Sequence, residues 1–239
     1  MVATKNRTQE QAAHRPQKPS KHGFWRANSL SLVCFGFFFL FAFAQSVTGL
    51  REFNSDQRSH GEPESSYGEY LTDGHFWEAL TENWESEFLQ MGAYILLTVF
   101  LIQKGSAESK DPEKHEAVDH DPRDADKRAN VPWPVRRGGI WLRLYENSLF
   151  VAFMALFLAS IFFHAMSGAR SYSAEQTAHG EPAVSTFEYA QTARFWFESF
   201  QNWQSEFMAV GAIVVLSIFL RQRGSPESKP VAAAHSDTA

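Results

Sequence analysis

A stretch of 28 residues occurs twice in this sequence, and each copy is typical of a helix that crosses a bilayer. The first copy is 83–110 (NWESEFLQMGAYILLTVFLIQKGSAESK) and the second is 202–229 (NWQSEFMAVGAIVVLSIFLRQRGSPESK). A constant shift of 119 residues aligns 28–110 with 147–229 without a gap, and 33 of the 83 aligned positions are identical. Self-similarity at a fixed shift indicates a repeat architecture. The chain is therefore predicted to contain two tandem repeats.

Apolar runs predict the number of spans. The mean hydropathy of −0.31 resembles that of a soluble protein, because polar segments dilute the apolar stretches. A spanning helix needs about 20 mostly apolar residues. Residues 29–50 and 148–168 meet this without Asp, Glu, Lys or Arg, whereas 84–102 and 203–220 do so only if the NW-x-SEF segments are helical. We predict an all-α membrane protein with four transmembrane helices, built as two tandem parallel two-helix repeats.

The lysines and arginines predict the orientation of the chain. The N-terminal tail carries six of them, the central connection nine and the C-terminal tail three, whereas each outer loop carries only two. Positively charged segments stay on the cytoplasmic side of a membrane. We therefore expect both termini and the central connection in the cytoplasm and both loops outside.

The first apolar run has an alternative interpretation as a secretory signal peptide. A basic leader precedes it, and Ala42-Phe43-Ala44 resembles a cleavage site. However, the run is longer than the usual signal core of about 7–15 residues, and it continues to Leu50. Its counterpart in the second repeat can only be a retained span. We therefore expect the first run to remain in the mature protein.

Both outer loops repeat one order of local signals. His-Gly-Glu-Pro at 60–63 and at 179–182 predicts a turn. Ser66 and Ser185 are each followed three residues later by Glu, which is the spacing of a capping box and predicts a short helix. Apolar side chains then recur every four residues from 76 to 88. This stripe predicts a short interfacial helix that leads into the span.

These patterns divide the chain into five segments. Residues 1–24 are polar and are predicted to be a disordered cytoplasmic tail. The first repeat covers 25–110 and the second covers 141–229. The charged, proline-containing segment 111–140 is predicted to be a flexible cytoplasmic linker, and 230–239 a cytoplasmic tail.

Polar residues at the outer ends of the second and fourth spans form a candidate outer-face polar cluster. Glu87 lies about 24 Å from Gln103 along a helix, near the outer boundary of a hydrocarbon core of about 30 Å. If the repeats face each other, Glu87 and Glu206 could bind a cation or share a proton; alternatively, the helix dipole and the headgroups stabilise each glutamate. The Asn, Trp and Ser residues fit a ligand site or interfacial anchoring. The cluster consists of Asn83, Trp84, Ser86, Glu87, Asn202, Trp203, Ser205 and Glu206.

Histidines suggest two weaker sites. His60 with Glu62, and His179 with Glu181, would supply two imidazoles and two carboxylates to one external metal if the loops converge, but they lack a helical metal-ligand spacing. The alternative is that they are ordinary residues of exposed turns. His164 occupies the position equivalent to Gln45, where an interhelical hydrogen bond or a proton relay is expected.

Several motifs of known chemistry are absent from the sequence. It has no Walker loop, no G-x-G-x-x-G fingerprint and no G-x-S-x-G elbow. Its single cysteine, Cys34, excludes a disulfide framework, a zinc knuckle and a c-type haem motif within the chain. We expect no cofactor and lean towards a non-enzymatic protein, although an enzyme with an unfamiliar site remains open.

The paired motifs support a family resemblance. With NWQSEF at 202–207 followed by RQRGSPESKP at 221–230, and QKGSAESK in the first copy, the chain resembles a domain-of-unknown-function family of small bacterial membrane proteins with two such repeats. The likeness covers about residues 25–230. In the first copy Glu85 replaces the usual Gln and Ala107 the usual Pro. The resemblance implies four helices in a bacterial cytoplasmic membrane and supplies no activity.

Three functions remain as hypotheses. The leading one is a non-enzymatic integral membrane protein that acts through contacts with other copies of itself or with another membrane protein, in a lipid bilayer and without nucleic acid. The second is a small conductor of ions, protons or solutes along the axis between the repeats. The third is an externally facing metal-binding protein.

Overall fold

The computed structural model describes residues 23–111, 113–125 and 131–238, and all regular structure in these ranges is helical. The chain divides into two compact units, one ending at Ser65 and the other beginning at Ser66. The predicted N-terminal tail lies almost entirely outside the described residues. The α-helices of the described ranges are α1 (Phe24–Ala27), α2 (Ser29–Ser59), α3 (Tyr67–Tyr70), α4 (Gly74–Phe100), α5 (Trp133–Arg137), α6 (Gly139–Glu146), α7 (Ser148–Ala178), α8 (Thr186–Tyr189) and α9 (Ala193–Phe219).

Helices α2 and α7 extend beyond the predicted spans. The predicted spans ended at 50 and 168, where the apolar runs end, but α2 continues to Ser59. It stops where Gly61 adopts a φ of 75° and the Glu62 N–H donates to the Gln57 carbonyl at 2.9 Å, which is the Schellman arrangement. Gly180, with a φ of 78°, closes α7 in the same way. The helices are longer than the apolar runs because the glycines that end them, Gly61 and Gly180, lie beyond the last apolar residues.

Capping boxes form at both predicted positions in the outer loops. The Ser66 N–H donates to Glu69 Oε2 at 2.7 Å, and the Ser185 N–H donates to Glu188 Oε2 at 2.7 Å. In both boxes the serine hydroxyl accepts the N–H of the glutamate. The helices that follow are the four-residue α3 and α8, as predicted. The stripe from 76 to 88 belongs to α4 itself, so the expected interfacial helix and the expected span are one continuous helix.

The second unit is organised by the packing of α4 against α7. Helix α9 packs against α4, and α8 packs against α7. A Cβ atom at Gly74 would lie 2.8 Å from the Ser167 carbonyl oxygen, and one at Gly92 would lie 3.2 Å from Met154 Sδ. Small residues let helix backbones approach closely in a membrane. The apolar core of this unit consists of Ala165, Ala169, Tyr189 and Phe195.

The C-terminal ends of α4 and α9 carry matching turns. The Gln103 N–H donates to Ser109 Oγ at 2.9 Å, and the Gln222 N–H donates to Ser228 Oγ at 2.9 Å. These bonds fold each Gly-Ser-x-Glu-Ser-Lys motif back on the helix end. Between the predicted linker's two ends, the described residues form 3₁₀ turns at Ala117–Asp119 and Pro122–Asp124 as well as α5.

Three described helices are long and apolar enough to cross a membrane, namely α2, α7 and α9. Helix α4 has 27 residues, as α9 does, but it does not reach the same apolar character. Within its most apolar part, Gln90 and Tyr94 stand where α9 has Ala209 and Ile213. Its N-terminal half also carries Glu78, Glu82, Glu85 and Glu87. The positions of those glutamates lead to the site.

Candidate functional site

A buried contact between ionisable side chains joins α4 to α7. His164 Nδ1 lies 2.9 Å from Glu85 Oε2, and both side chains have no exposed surface. We assign the proton of this hydrogen bond to Nδ1, with the carboxylate oxygen as the acceptor. The other carboxylate oxygen, Oε1, accepts the indole N–H of Trp203 at 3.0 Å. One glutamate of α4 therefore binds a side chain of α7 and a side chain of α9.

The other nitrogen of His164 points towards a second carboxylate. Nε2 lies 3.5 Å from Glu198 Oε2 on α9. Although it is buried, Nε2 makes no hydrogen bond to any residue that the structure describes. The ring packs on Phe195, with 4.8 Å between the ring centroids. The imidazole is thus fixed with one nitrogen satisfied and the other facing an anionic oxygen.

Tyr189 links two carboxylates from different helices. Its hydroxyl lies 2.8 Å from Glu78 Oε1 and 2.7 Å from Glu198 Oε2. Burial, followed by the charge of Glu78, raises the pKa of Tyr189 far above its usual range, so the phenol keeps its proton. A phenol donates only one hydrogen bond. The second short contact therefore needs a further proton or another cation between the oxygens.

Arg194 places a permanent positive charge beside Glu198. Its Nε donates to Glu198 Oε1 at 3.0 Å, and the same guanidinium pairs with Glu175. Its carbon Cζ lies 5.5 Å from the centre of the Tyr172 ring, which is close enough for a cation–π contact. Arg194 thus holds Glu198 in place and leaves the opposite oxygen, Oε2, turned towards His164 and Tyr189.

Helical spacing places three acidic residues of α4 on this side. Glu78, Glu82 and Glu85 follow one another at intervals of four and three residues, which puts them on one helix face. Glu82 is half-buried and close enough to interact electrostatically with His164 and Glu198. The resulting carboxylate–histidine cluster consists of Glu78, Glu82, Glu85, His164, Tyr189 and Glu198.

A glycine on α7 makes room for the carboxylate–histidine cluster. A Cβ atom at Gly168 would overlap the Tyr189 ring and lie 2.7 Å from Glu78 Oε1. Any larger residue would therefore displace the tyrosine or the glutamate. The absence of a side chain at this position is what allows α7 to lie beside both groups.

The chemistry of the carboxylate–histidine cluster is set by its excess of acidic groups. It contains four carboxylates, and the cationic side chains in contact with them among the described residues are His164 and Arg194. Buried carboxylates must be protonated, paired or bound to a cation. Ligand atoms of Glu78, His164 and Glu198 lie within 4.8 Å of one another. The cluster can therefore hold additional protons or one metal ion.

Two members of the predicted outer-face polar cluster bind residues of the carboxylate–histidine cluster: Trp203 binds Glu85, and the Asn202 side chain binds Glu82. The Asn83 side chain donates to the Ala79 carbonyl, and the Ser86 hydroxyl donates to the Asn83 carbonyl. These are bonds within α4. Trp84 lines a mostly apolar cavity between α4 and α7.

The corresponding residues of α9 make the same hydrogen bonds within their own helix. The Asn202 side chain donates to the Glu198 carbonyl, and the Ser205 hydroxyl donates to the Asn202 carbonyl. Glu87 is exposed, and Glu206 lies close enough for the two charges to interact. The predicted role of this pair in conduction stays a prediction.

The histidines of the outer turns lie at helix ends. His60 Nδ1 lies 3.0 Å from the Asp56 carbonyl oxygen, and His179 Nδ1 lies 2.8 Å from the Glu175 carbonyl oxygen. Both histidines are exposed, as are Glu62 and Glu181. Each imidazole thus binds the last turn of its own helix, and metal binding by these four residues stays a prediction.

Sequence reasoning predicted an interhelical hydrogen bond for His164, and the contact with Glu85 confirms it. The acidic partners were missed because the residues of the predicted outer-face polar cluster are identical in both copies, whereas the acidic partners differ between the copies. Glu78, Glu82 and Glu85 align with Phe197, Gln201 and Gln204, and Glu198 aligns with Ala79. The signal that could have found them is this difference: acidic residues on one helix face in one copy and neutral residues in the other.

The long apolar helices, the all-helical described residues and the buried ionisable groups define a helical protein of membrane type. The chain belongs to the family described as a domain of unknown function, DUF6766, whose model matches residues 21–239. This confirms the resemblance to a family of unknown function. Neither the curated proteins nor the solved structures compared with the chain gave a match.

Proposed function

We propose that this chain is an integral membrane protein that reversibly binds a cation, a proton included, in the carboxylate–histidine cluster. The observation that carries the proposal is the excess of carboxylates around His164, of which Glu78 and Glu85 are buried and Glu82 and Glu198 are half-buried. Ionisable groups inside a membrane are costly and are typically functional. A bound cation would offset the repulsion between Glu78 and Glu198, whose oxygens both contact the Tyr189 hydroxyl.

The position of the cluster favours binding from the outer face. Glu85 lies 15 residues before the inner end of α4 at Phe100, which is about 22 Å along a helix. That distance reaches the outer part of a hydrocarbon core of about 30 Å. The proposed cation therefore enters from the side of the outer loops and is held above the apolar inner halves of α4, α7 and α9.

The proposal places four spans in a bacterial cytoplasmic membrane, with both termini and the linker in the cytoplasm. The uneven distribution of lysine and arginine supports this orientation. The constant shift between corresponding helices supports the arrangement as two parallel repeats. Helices α2, α3 and α4 begin at residues 29, 67 and 74, and α7, α8 and α9 begin 119 residues later, at 148, 186 and 193. By this correspondence α4 is also a span, the second of four in chain order, because its counterpart α9 is apolar enough to be one.

Cation binding is tested by the stability of the purified protein in nanodiscs. We expect the unfolding midpoint of the wild type to rise with falling pH or with one salt in a series of sodium, potassium, magnesium, calcium, manganese and zinc chlorides. Glu198→Gln should remove most of that response, whereas Glu206→Gln, on the same helix but outside the cluster, should keep it. A midpoint that responds equally in all three proteins, or in none of them, overturns the proposal.

The orientation is tested by labelling in intact cells. Single cysteines are placed at Glu62, Glu181 and Glu113 in a Cys34→Ser background, and a membrane-impermeant thiol reagent is added. We expect labelling at the first two positions and protection of the third. Labelling of the linker position with protection of both loop positions contradicts the orientation.

Two further hypotheses concern partners and transport. Association with a second copy or with another membrane protein stays a prediction, as does conduction along an axis through Glu87 and Glu206. Reconstituted vesicles test conduction: a Glu87→Gln variant that relaxes a pH or ion gradient as quickly as the wild type contradicts it.

A further inference from the structure

We infer that the bound cation is a divalent transition-metal ion, ligated by His164 Nε2 and by carboxylate oxygens of Glu78 and Glu198. The inference rests on the proposed cation binding and names the cation class. It assigns a site that differs from the predicted metal site in the outer turns. The ligand atoms come from α4, α7 and α9, so the ion would join three helices.

The first support is the unsatisfied nitrogen of His164. The side chain has no exposed surface, and its Nε2 makes no hydrogen bond to a described residue while facing Glu198 Oε2. Because Nδ1 already binds Glu85, Nε2 is the ring atom that is left to bind a cation. A cation between Nε2 and Glu198 Oε2 would satisfy both atoms.

The second support is the length of that contact. A charge-assisted N–H to carboxylate hydrogen bond has a length of about 2.7–2.9 Å. Two ligands of one tetrahedral ion with bonds of about 2.0–2.2 Å lie about 3.4 Å apart. The observed 3.5 Å between His164 Nε2 and Glu198 Oε2 matches the second value. This spacing is therefore compatible with a shared metal ion, and all three ligand atoms lie within 4.8 Å of one another.

The third support is the set of groups behind the ligands. A metal-binding histidine almost always donates its other N–H to a carboxylate or carbonyl, which fixes the ring and makes it a stronger ligand. Glu85 has this role towards His164, and Trp203 holds Glu85 through its other oxygen. Arg194 and Tyr189 orient the two oxygens of Glu198 in the same manner.

The ligand types determine the class of ion. Magnesium and calcium prefer ligand sets made only of oxygen, whereas an imidazole with carboxylates suits zinc, iron, manganese or nickel. A divalent charge also neutralises the two carboxylates that bind it, which lowers the cost of burying them. Three protein ligands leave a coordination position for water or for a small ligand.

The metal is tested with cobalt as the probe on the full-length protein in nanodiscs. After dialysis against Co²⁺ we expect about one ion per chain, together with the visible absorption bands of a low-coordinate Co²⁺ site. His164→Asn should abolish both signals, and His179→Asn, which changes an exposed histidine, should leave them intact. Trp203→Phe should weaken the affinity by about 10–100-fold, because it acts through Glu85.

If His164→Asn fails to fold, a second measurement tests metal ligation by His164 in the wild-type protein. Mn²⁺ bound to the wild type should show hyperfine coupling to one imidazole nitrogen in its electron spin-echo spectrum. Substoichiometric uptake by the wild type, uptake unchanged by His164→Asn, or bound Mn²⁺ without nitrogen coupling each overturn the inference. The unfolding midpoint could still respond to pH or sodium in the wild type but not in Glu198→Gln, while no transition metal binds. That result would overturn the metal inference and leave the cation-binding proposal intact.

Discussion

His164 Nδ1 and Glu85 Oε2 lie 2.9 Å apart between two helices, and neither side chain has any exposed surface. Burial removes both groups from water, so the two side chains satisfy each other. Trp203 adds a third helix to the same carboxylate. The contact therefore holds the N-terminal halves of α4 and α9 at the middle of α7 and keeps the imidazole in one orientation.

Removal of the Glu85 carboxylate should destabilise the protein strongly. Glu85→Leu leaves the His164 Nδ1–H and the Trp203 N–H without an acceptor, and a broken buried pair typically costs about 3–5 kcal/mol. The free energy of unfolding, followed against the mole fraction of a denaturing detergent, measures the loss. Glu87→Leu is the matched control, since Glu87 is exposed two residues further along α4, and its effect should stay within about 0.5 kcal/mol. Equal losses in both variants would show that the buried contact contributes little.

Gly168 should tolerate no side chain. Gly168→Ala brings a methyl group into the space of the Tyr189 ring and Glu78 Oε1, and such overpacking costs about 1–3 kcal/mol. Gly211→Ala is the control, because a Cβ atom there meets nothing within 4 Å, and alanine stabilises a helix over glycine by up to about 1 kcal/mol. Thermal unfolding of both variants should therefore shift in opposite directions. A stabilised Gly168→Ala protein contradicts the close contact.

The all-helical architecture and the local geometry of the loops could be predicted from the sequence. The capping boxes at Ser66 and Ser185 depend only on residues three positions apart, so the spacing was sufficient. The lengths of α2 and α7 were underestimated because the apolar run defines a bilayer span, whereas the helix itself continues to the glycine that ends it.

The partners of His164 could not be predicted with the same certainty. A single sequence shows that a buried histidine needs a hydrogen bond, but the choice of Glu85 depends on how α4 packs against α7. That packing is set by close contacts such as those of Gly74 and Gly92 with Ser167 and Met154, residues of α7 that lie far from α4 in the chain. Three-dimensional packing thus supplied the information that spacing could not.

The capping box of α8 should depend on pH. The hydrogen bond from the Ser185 backbone N–H lowers the pKa of Glu188 below its usual value. A lowered folded-state pKa means that the stabilisation is present above the ordinary glutamate pKa and is lost as the pH falls through the lowered one. Hydrogen exchange at the Ser185 amide should be slower in the wild type than in Glu188→Ala at neutral pH, and the difference should vanish in acid. In Glu188→Gln, whose amide oxygen still accepts but does not titrate, the protection should persist in acid. A wild-type advantage that is constant down to the acid range contradicts this role.

Lys229 should hold the C-terminal segment on the turn that follows α4. Its buried ammonium group donates to the Gly105 carbonyl, and to the carbonyls of Ala234 at 3.2 Å and Asp237 at 2.7 Å. Hydrogen bonds to a charged group contribute about 1.5–3 kcal/mol each when buried. Lys229→Met should therefore accelerate amide exchange across residues 231–238 by about tenfold or more.

The control for this variant is Lys110→Met at the equivalent position of the first copy. Lys110 pairs with Asp119 at 2.7 Å, and both side chains are partly exposed. A partly exposed ion pair contributes about 0–1 kcal/mol. The segment 231–238 should exchange at the wild-type rate in Lys110→Met, and an equal acceleration in both variants would exclude a specific role for Lys229.

Magnetic resonance of the histidine side chains tests the buried contact most directly. With ¹⁵N-labelled histidine and the protein in nanodiscs, the Nδ1 proton of His164 should exchange slowly with water, and its signal should disappear in Glu85→Leu. The exposed His179 provides the internal reference for rapid exchange. A His164 ring that exchanges as fast as His179, or a signal unchanged by Glu85→Leu, contradicts a buried imidazole held between two carboxylates.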